Sequence, residues 1–196
     1  MQPFEIDMET IRRRARDHMM KGPLTPAYGS REHDGPHSTE ADRQRIVAVL
    51  QETLATELVC ELRYRAHYYA AAGFRGEVAA DEFLEHAREE REHGERIAAR
   101  IAQLGGQPNF DPASLSDRAH ADYGVGEDLV LMLEEDLVAE RVAVQTYTEI
   151  IRWLGDADPT TRRMMEEILA QEEEHADDIA GLLERARAHQ KVEVQA

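Results

Sequence analysis

Residues 89–93 read Glu-Glu-Arg-Glu-His and residues 171–175 read Gln-Glu-Glu-Glu-His, so a Glu-x-x-His motif occurs twice, 82 positions apart. Each motif lies 32 or 33 positions after a glutamate that has a tyrosine seven residues beyond it. One helix-pair pattern is therefore present twice, with the same polar residues in the same order. The polar residues are Glu57, Tyr64, Glu90 and His93 in the first copy and Glu140, Tyr147, Glu172 and His175 in the second.

The spacing within each motif suits a metal ion. Residues three apart on a helix share one face, so a glutamate and a histidine in this arrangement can reach the same ion. Carboxylate oxygen suits hard cations, and imidazole nitrogen suits iron, zinc and related metals. Four buried carboxylates would be costly and mutually repulsive unless cations lay between them. The doubled pattern therefore predicts a two-metal site, whereas a single Glu-x-x-His in a glutamate-rich helix is more often a solvated pair.

Composition limits the class of protein. The chain has 196 residues, which favours one domain, and its 40 acidic against 23 basic residues argue against a nucleic-acid-binding fold. Cys60 is the sole cysteine, which excludes an intramolecular disulfide, a zinc ribbon and a four-cysteine rubredoxin site. No apolar run approaches the ~20 residues of a membrane span, and no secretory signal is readable. We expect a cytoplasmic protein.

The pattern along the chain predicts an all-α protein, a four-helix bundle with one long crossover between its second and third helices. Residues 1–37 are expected to form a partly helical arm, 38–190 the bundle, and 191–196 a polar tail. Within the arm, a short helix is expected over residues 5–20. The crossover, about 107–126, is expected to contain a brief helix near 112–120. The long helices are expected from Ser38 or Thr39 to about Ala72, from Glu77 to Leu104, from Glu127 to Leu154, and from Pro159 to about His189.

Several neighbours of the motifs have two interpretations. The phenols of Tyr64 and Tyr147 either orient a metal ligand or trap radicals, or they are ordinary buried core groups. Gln171 and Asp136 are candidates for hydrogen bonds to the ligands. Glu61, one turn after Glu57, is the rival for the ligand position on the first helix. His67 and His86 are candidates for an iron transit route, although a structural role is the more common one.

The second helix followed by Leu-Gly-Gly-Gln-Pro-Asn-Phe, together with Glu-Glu-Glu-His at 172–175, resembles bacterioferritins and the Dps-like ferritins over residues 40–184. This resemblance implies a ferritin-like bundle that is a ferroxidase, with two iron ions per subunit and Mn or Zn as substitutes. It implies that Glu57 and Glu140 are terminal ligands, that Glu90 and Glu172 bridge the ions, and that His93 and His175 each bind one ion. Fe(II) would be oxidised by O2 or H2O2 and stored as Fe(III) mineral in a hollow homo-oligomeric cage, as a protection against oxidative stress.

Some positions depart from that family. Bacterioferritins bind haem through a methionine directly after the bridging glutamate, and Arg91 stands there, so haem is not expected. Few residues remain after the fourth helix for the fifth helix of 24-subunit cages. The long crossover is like that of 12-subunit Dps cages, so a 12-mer is expected, with a 24-mer as the alternative. Classical Dps proteins place their site between subunits, so the match is to the Dps-like branch with a site inside each bundle.

Two further questions concern the arm and the reaction. Arg12, Arg13, Arg14 and Arg16 could contact DNA phosphates, but acidic residues outnumber basic ones over residues 1–40, so DNA binding is not expected. The same ligand set also fits an enzyme that stores nothing, a rubrerythrin-like peroxidase or a manganese catalase. Cys60 is expected to be a buried apolar residue.

Overall fold

A computed structural model describes residues 40–71 and 77–193. It confirms the predicted all-α bundle, with one long crossover. The predicted arm at residues 1–37 lies outside the described residues, as do residues 194–196 of the predicted tail. The helices are α1 (Glu40–Ala71), α2 (Glu77–Gln103), a 3-10 turn (Pro112–Ser114) continuing into α3 (Leu115–Arg118), α4 (Leu129–Leu154) and α5 (Pro159–Glu193). Relative to the sequence expectation, α4 begins two residues later and α5 ends four residues later.

Local sequence explains where these helices begin and end. Gly105 follows α2 with a φ of 81°, and the amide of Gly106 donates to the carbonyl of Ile101 at 2.9 Å, which ends the helix in a Schellman turn. A side chain at Gly106 would stand 2.7 Å from Val47, so only glycine fits. Asp128 caps α4 by accepting from the amide of Leu131 at 2.9 Å.

The predicted Asp158-Pro159 start of α5 is confirmed. Asp158 accepts from the amide of Thr161 at 3.0 Å, and Pro159 is the first helical residue. The same carboxylate accepts two hydrogen bonds from the buried guanidinium of Arg100, at 2.9 and 3.0 Å. This buried ion pair ties the C-terminal end of α2 to the N-terminal end of α5.

The long helices pack as two antiparallel pairs, α1 with α2 and α4 with α5. We call these pairs the first half and the second half. The aliphatic end of the bundle unites the start of α1, the ends of α2 and α4, and the start of α5, with Leu54, Ile101 and Ile168 fully buried. The opposite, mixed end contains Tyr64, Phe83 and several alanines. Apolar residues at helical spacing on all four helices account for both clusters.

The crossover runs back along α1 from one end of the bundle to the other. The side chain of Gln51 bonds to the backbone of Gln107 and Asn109, and Thr56 accepts from the amide of His120 at 3.0 Å. Farther along, Arg63 donates to the carbonyl of Asp122 at 2.9 Å. Because the crossover spans the full length, α4 starts at the same end as α2, and the two ligand-bearing halves face each other. Among residues 40–71 and 77–193, no helix is long and apolar enough to cross a membrane.

Candidate metal centre

The six predicted ligand residues meet at one place, between the aliphatic and mixed ends of the bundle. Every one of them is at most 2% exposed to solvent. Each lies in the middle of its helix, where the inward stripe of apolar residues is interrupted by the polar motif. We call this set the six-residue cluster. Its members are Glu57, Glu90, His93, Glu140, Glu172 and His175.

The first histidine faces carboxylates from three helices. The Nδ1 atom of His93 lies 3.0 Å from Glu172, 3.2 Å from Glu57 and 3.8 Å from Glu90. The other ring nitrogen, Nε2, is paired with the Oε1 atom of Gln171 at 3.1 Å. His93 therefore directs Nδ1 toward the centre of the cluster. The hydrogen bond between Gln171 and Nε2 fixes the orientation of the ring, the role for which that glutamine was a candidate.

The second histidine repeats this geometry from the opposite side. The Nδ1 atom of His175 lies 3.5 Å from Glu172, 3.6 Å from Glu90 and 3.9 Å from Glu140. Its Nε2 atom is 2.9 Å from Glu89. Glu89 precedes Glu90 just as Gln171 precedes Glu172. That position within the repeat could have identified Glu89, which the sequence analysis missed.

The donor atoms form two overlapping groups, each able to hold one cation. One group joins Glu57, Glu90, His93 and Glu172, and the other joins Glu90, Glu140, Glu172 and His175, with the donor atoms of each group within 4.8 Å of one another. Glu90 and Glu172 belong to both groups. Among the described residues, Oε1 of Glu90, Oε2 of Glu172 and Nδ1 of His175 have no hydrogen-bond partner although they are buried. Buried polar atoms seldom lack partners, and two cations would satisfy these, so the donors fit a two-metal centre.

Each tyrosine hydrogen-bonds to the unshared glutamate of the other half. The hydroxyl of Tyr64 on α1 donates to Glu140 on α4, and the hydroxyl of Tyr147 on α4 donates to Glu57 on α1. Both tyrosines are at most 1% exposed. The phenols therefore orient the two unshared carboxylates, and the bonds cross between the halves.

The charges within the cluster shift its protonation. Burial, and then repulsion from Glu90, raises the pKa of Glu57 to about 8, and burial together with Glu172 raises the pKa of Glu140 well above its usual range. Burial also acts to raise the pKa of Glu90 and Glu172, but contacts with the histidines outweigh it and lower both. Burial acts to lower the pKa of the two histidines, and their carboxylate contacts raise it instead. Protons thus balance the charge of the metal-free cluster, and divalent cations can take their place.

Other residues weighed from the sequence lie outside the cluster. Glu61 pairs with Arg65 at 2.8 Å near the surface and is not among the donor groups of the cluster. Asp136 does not touch the cluster; it accepts from Arg63 at 2.7 Å and pairs with His67 at 2.8 Å, all three buried.

Cys60 is buried beside Ala121 and Ala139, as expected, but its sulfur also accepts a hydrogen bond from the buried guanidinium of Arg63 at 3.7 Å. Burial raises the pKa of its thiol well above the usual range. The thiol is therefore held in its neutral form, and its role is packing between α1, the crossover and α4.

Four glutamates and two histidines, buried at the centre of an antiparallel four-helix bundle, are the arrangement of the dinuclear carboxylate proteins. The sequence profile of the ferritin-like domain matches residues 47–188. The chain therefore belongs to the ferritin-like family, an iron-storage and ferroxidase family. The resemblance seen in its motifs is confirmed.

Individual relatives agree with this assignment. A DNA protection during starvation protein of Pyrococcus furiosus is 34% identical over 70% of this chain and 76% of its own length. A bacterioferritin of Desulfovibrio desulfuricans is 26% identical over 69% of this chain and 73% of its own. Among solved structures, the bacterioferritin-related protein of Bacteroides fragilis, described as a dodecameric thioferritin, superposes with a TM-score of 0.71. Its identity is 31%, over 76% of this chain and 91% of the other.

Proposed function

We propose that this protein is a ferroxidase that stores iron, with the six-residue cluster as the place where Fe(II) is oxidised. The observation that carries the proposal is the pair of overlapping donor groups that share Glu90 and Glu172. Two Fe(II) ions bound there as substrate would lie next to each other. An oxidant that accepts two electrons can then be reduced in one encounter.

The electrons and protons balance for either oxidant. Two Fe(II) ions give two electrons to H2O2, which takes two protons and yields two water molecules and two Fe(III) ions. With O2, the same two electrons and two protons yield one H2O2. In both cases Glu90 and Glu172 hold the ions together, while Glu57 and Glu140, fixed by the tyrosines, each complete one side.

The fate of the Fe(III) product is the second part of the proposal. We expect the chain to assemble into a hollow homo-oligomeric cage of twelve subunits, inside which Fe(III) mineralises. The dodecameric description of the Bacteroides fragilis protein supports this count. A 12-mer of 22.3 kDa chains has a mass of about 268 kDa and a 24-mer about 535 kDa, so mass photometry distinguishes them.

The test is stepwise addition of Fe(II) to the full chain, with O2 and with H2O2 compared, while ferric absorbance and retained iron are followed. Rapid oxidation that continues far beyond two irons per chain, with soluble ferric mineral retained, is the expected result. Faster oxidation with H2O2 than with O2 would assign a detoxifying role. If oxidation stops at about two irons per chain, the storage role is wrong and the protein is a dinuclear redox enzyme.

A further inference from the structure

A second group of donors lies one helical turn from the six-residue cluster, toward the mixed end. Its members are Glu82 and His86 on α2 and Asp178 on α5, which we call the outer cluster. The Nε2 atom of His86 is 3.5 Å from Glu82 and 4.0 Å from Asp178. All three donor atoms lie within 4.8 Å of one another, as a shared ion requires.

His86 is an unusual core histidine. Its side chain is only 2% exposed, yet neither ring nitrogen hydrogen-bonds to any residue in the described part of the chain. Its ring instead stacks on His175, with centroids 4.1 Å apart and planes 22° apart. A buried polar group without a partner is energetically costly, so a partner from outside the chain is expected at this position. The carboxylates of Glu82 and Asp178 beside Nε2 make that partner a cation.

The internal repeat supplies a comparison for this inference. In the 82-residue repeat, Glu82 corresponds to Met164, His86 to Ile168 and Asp178 to Arg96. Ile168 is fully buried in the aliphatic core, and Arg96 pairs with Glu167 at 2.6 Å. On its aliphatic side, the six-residue cluster thus has no group of metal-ligand atoms at the positions that correspond to the outer cluster. The outer cluster is therefore not a requirement of the shared ligand geometry.

The outer cluster also connects the surface to the six-residue cluster. The side chains of Asp178 and Glu82 are 58% and 30% exposed, whereas His86 and His175 are buried. His86, Glu89 and His175 form a further group of donors within 4.8 Å, which shares His86 with the outer cluster and His175 with the six-residue cluster. Donor atoms therefore follow one another from solvent to the buried centre.

We infer that Glu82, His86 and Asp178 form a third metal site, which binds one divalent transition-metal ion such as Fe(II) at the surface end of this path. One imidazole and two carboxylates favour iron, cobalt or zinc over magnesium or calcium, which prefer oxygen ligands alone. Three protein ligands leave coordination positions for water, so the ion can be exchanged. The further role, delivery of Fe(II) through Glu89 and His175, rests on the proposed function; the metal site itself does not.

The test is Co(II) binding to the full chain, followed by isothermal titration calorimetry and by the visible absorption of the bound ion. The wild type is expected to bind three ions per chain. The variant Glu82→Gln/Asp178→Asn is expected to bind two, because the outer ion loses both carboxylates, and His86→Phe, which retains the ring, is also expected to bind two. The matched control Glu85→Gln/Asp177→Asn removes the same charge from exposed positions of the same helices and is expected to bind three.

The delivery role is tested by stopped-flow oxidation at limiting Fe(II). Glu82→Gln/Asp178→Asn is expected to be about tenfold slower than the matched control, within the range that local charge gives to cation capture. Equal rates in the two variants would overturn delivery.

The failures of the two proposals are distinguishable. A wild type that binds only two Co(II) ions but oxidises Fe(II) rapidly would overturn the outer site and leave the ferroxidase in place. A Glu90→Gln/Glu172→Gln variant that still binds one Co(II) would support the outer site independently of any oxidation. Loss of that remaining ion when Glu82→Gln/Asp178→Asn is added would locate it in the outer cluster, and its persistence there would overturn the site.

Discussion

When the two copies of the repeat are aligned, the two halves match at every predicted ligand and differ at several of the positions around the ligands. Glu90 corresponds to Glu172 and His93 to His175, and these residues occupy equivalent places in the structure. One turn away, His86 corresponds to Ile168. The ligands and the tyrosines bonded to them are thus repeated, whereas several other neighbouring positions are not.

The helices that carry the unshared glutamates show the same contrast. A buried polar network at the mixed end consists of Arg63, His67 and Asp136. At the corresponding positions of the other copy, Thr146 replaces Arg63, Ile150 replaces His67 and Thr53 replaces Asp136. Thr53 needs no partner from another helix, since its hydroxyl donates to the carbonyl of Val49 in its own helix. The buried network of Arg63, His67 and Asp136 therefore has no counterpart at the repeat positions of α1 and α4.

The largest effect is expected at the two shared glutamates, where the halves should behave alike. Glu90→Gln and Glu172→Gln each remove a carboxylate from both donor groups, so each should reduce the initial Fe(II) oxidation rate by more than the roughly 10–100-fold typical of outer-shell changes. Stopped-flow ferric absorbance measures the rate. The exposed neighbours Glu92→Gln and Glu173→Gln are the controls and should retain the wild-type rate. Wild-type rates in the shared-glutamate variants would refute the site assignment.

The next largest effect is expected on stability, and it should differ between the two halves. Asp136→Asn removes the negative charge that balances buried Arg63, so unfolding free energy should fall by about 3–5 kcal/mol. Thr53→Val, at the repeat position, removes only one local hydrogen bond and should cost about 1 kcal/mol. Chemical denaturation of the metal-free protein measures both. Equal losses would show that the network contributes no more than the threonine does.

Metal binding should raise the free energy of unfolding of both halves together. The bound cations would offset the repulsion between carboxylates that lie on α1, α2, α4 and α5. A cation at 100 times its Kd adds about 2.7 kcal/mol per site, which for a domain of this size corresponds to a rise in Tm of roughly 5–10 °C. Differential scanning calorimetry with and without Zn(II) measures the rise. Glu90→Gln/Glu172→Gln should lose the share of the rise that comes from the six-residue cluster and keep only the share of an ion in the outer cluster, and a full rise in that variant would place the stabilising ions elsewhere.

The smallest effect is expected at the tyrosines, and it should be equal in the two halves. Tyr64→Phe frees Glu140 and Tyr147→Phe frees Glu57, so each should slow Fe(II) oxidation about tenfold through misplacement of an unshared carboxylate. Initial rates across a range of Fe(II) concentrations measure the effect. A large loss in Tyr64→Phe with none in Tyr147→Phe would show that one phenol has a role beyond orientation.

Much of the fold and the ligand set can be predicted from this sequence, because both depend on short spacings along single helices. A pair three positions apart on a helix shares a face whatever the helix packs against, so the Glu-x-x-His motifs are readable without a structure. The Gly105-Gly106 stop and the Asp158-Pro159 start are likewise local. Helix α5 extends beyond its expected end because no glycine or proline lies between His189 and Glu193.

The sequence does not predict which side chains contact each other between helices. Seven residues of helix span about 10 Å, so Tyr64 cannot reach Glu57, its neighbour in the motif; it reaches Glu140 instead. Asp136 has the same sequence relation to Glu140 as Thr53 has to Glu57, yet only the packing of α1 against α4 shows that its partner is Arg63. For His86, its proximity to Asp178 depends on the register of α2 against α5.

Arg63 links three parts of the chain: α1, the crossover carbonyl of Asp122, and Asp136 on α4. Because a buried guanidinium cannot be left without its partners, the crossover and the first half of α4 should open to solvent together rather than one after the other. In hydrogen-exchange terms they form one cooperative unit. The amides near Ala121 and those near Asp136 should then share one opening free energy, even though a loop next to a helix ordinarily exchanges much faster.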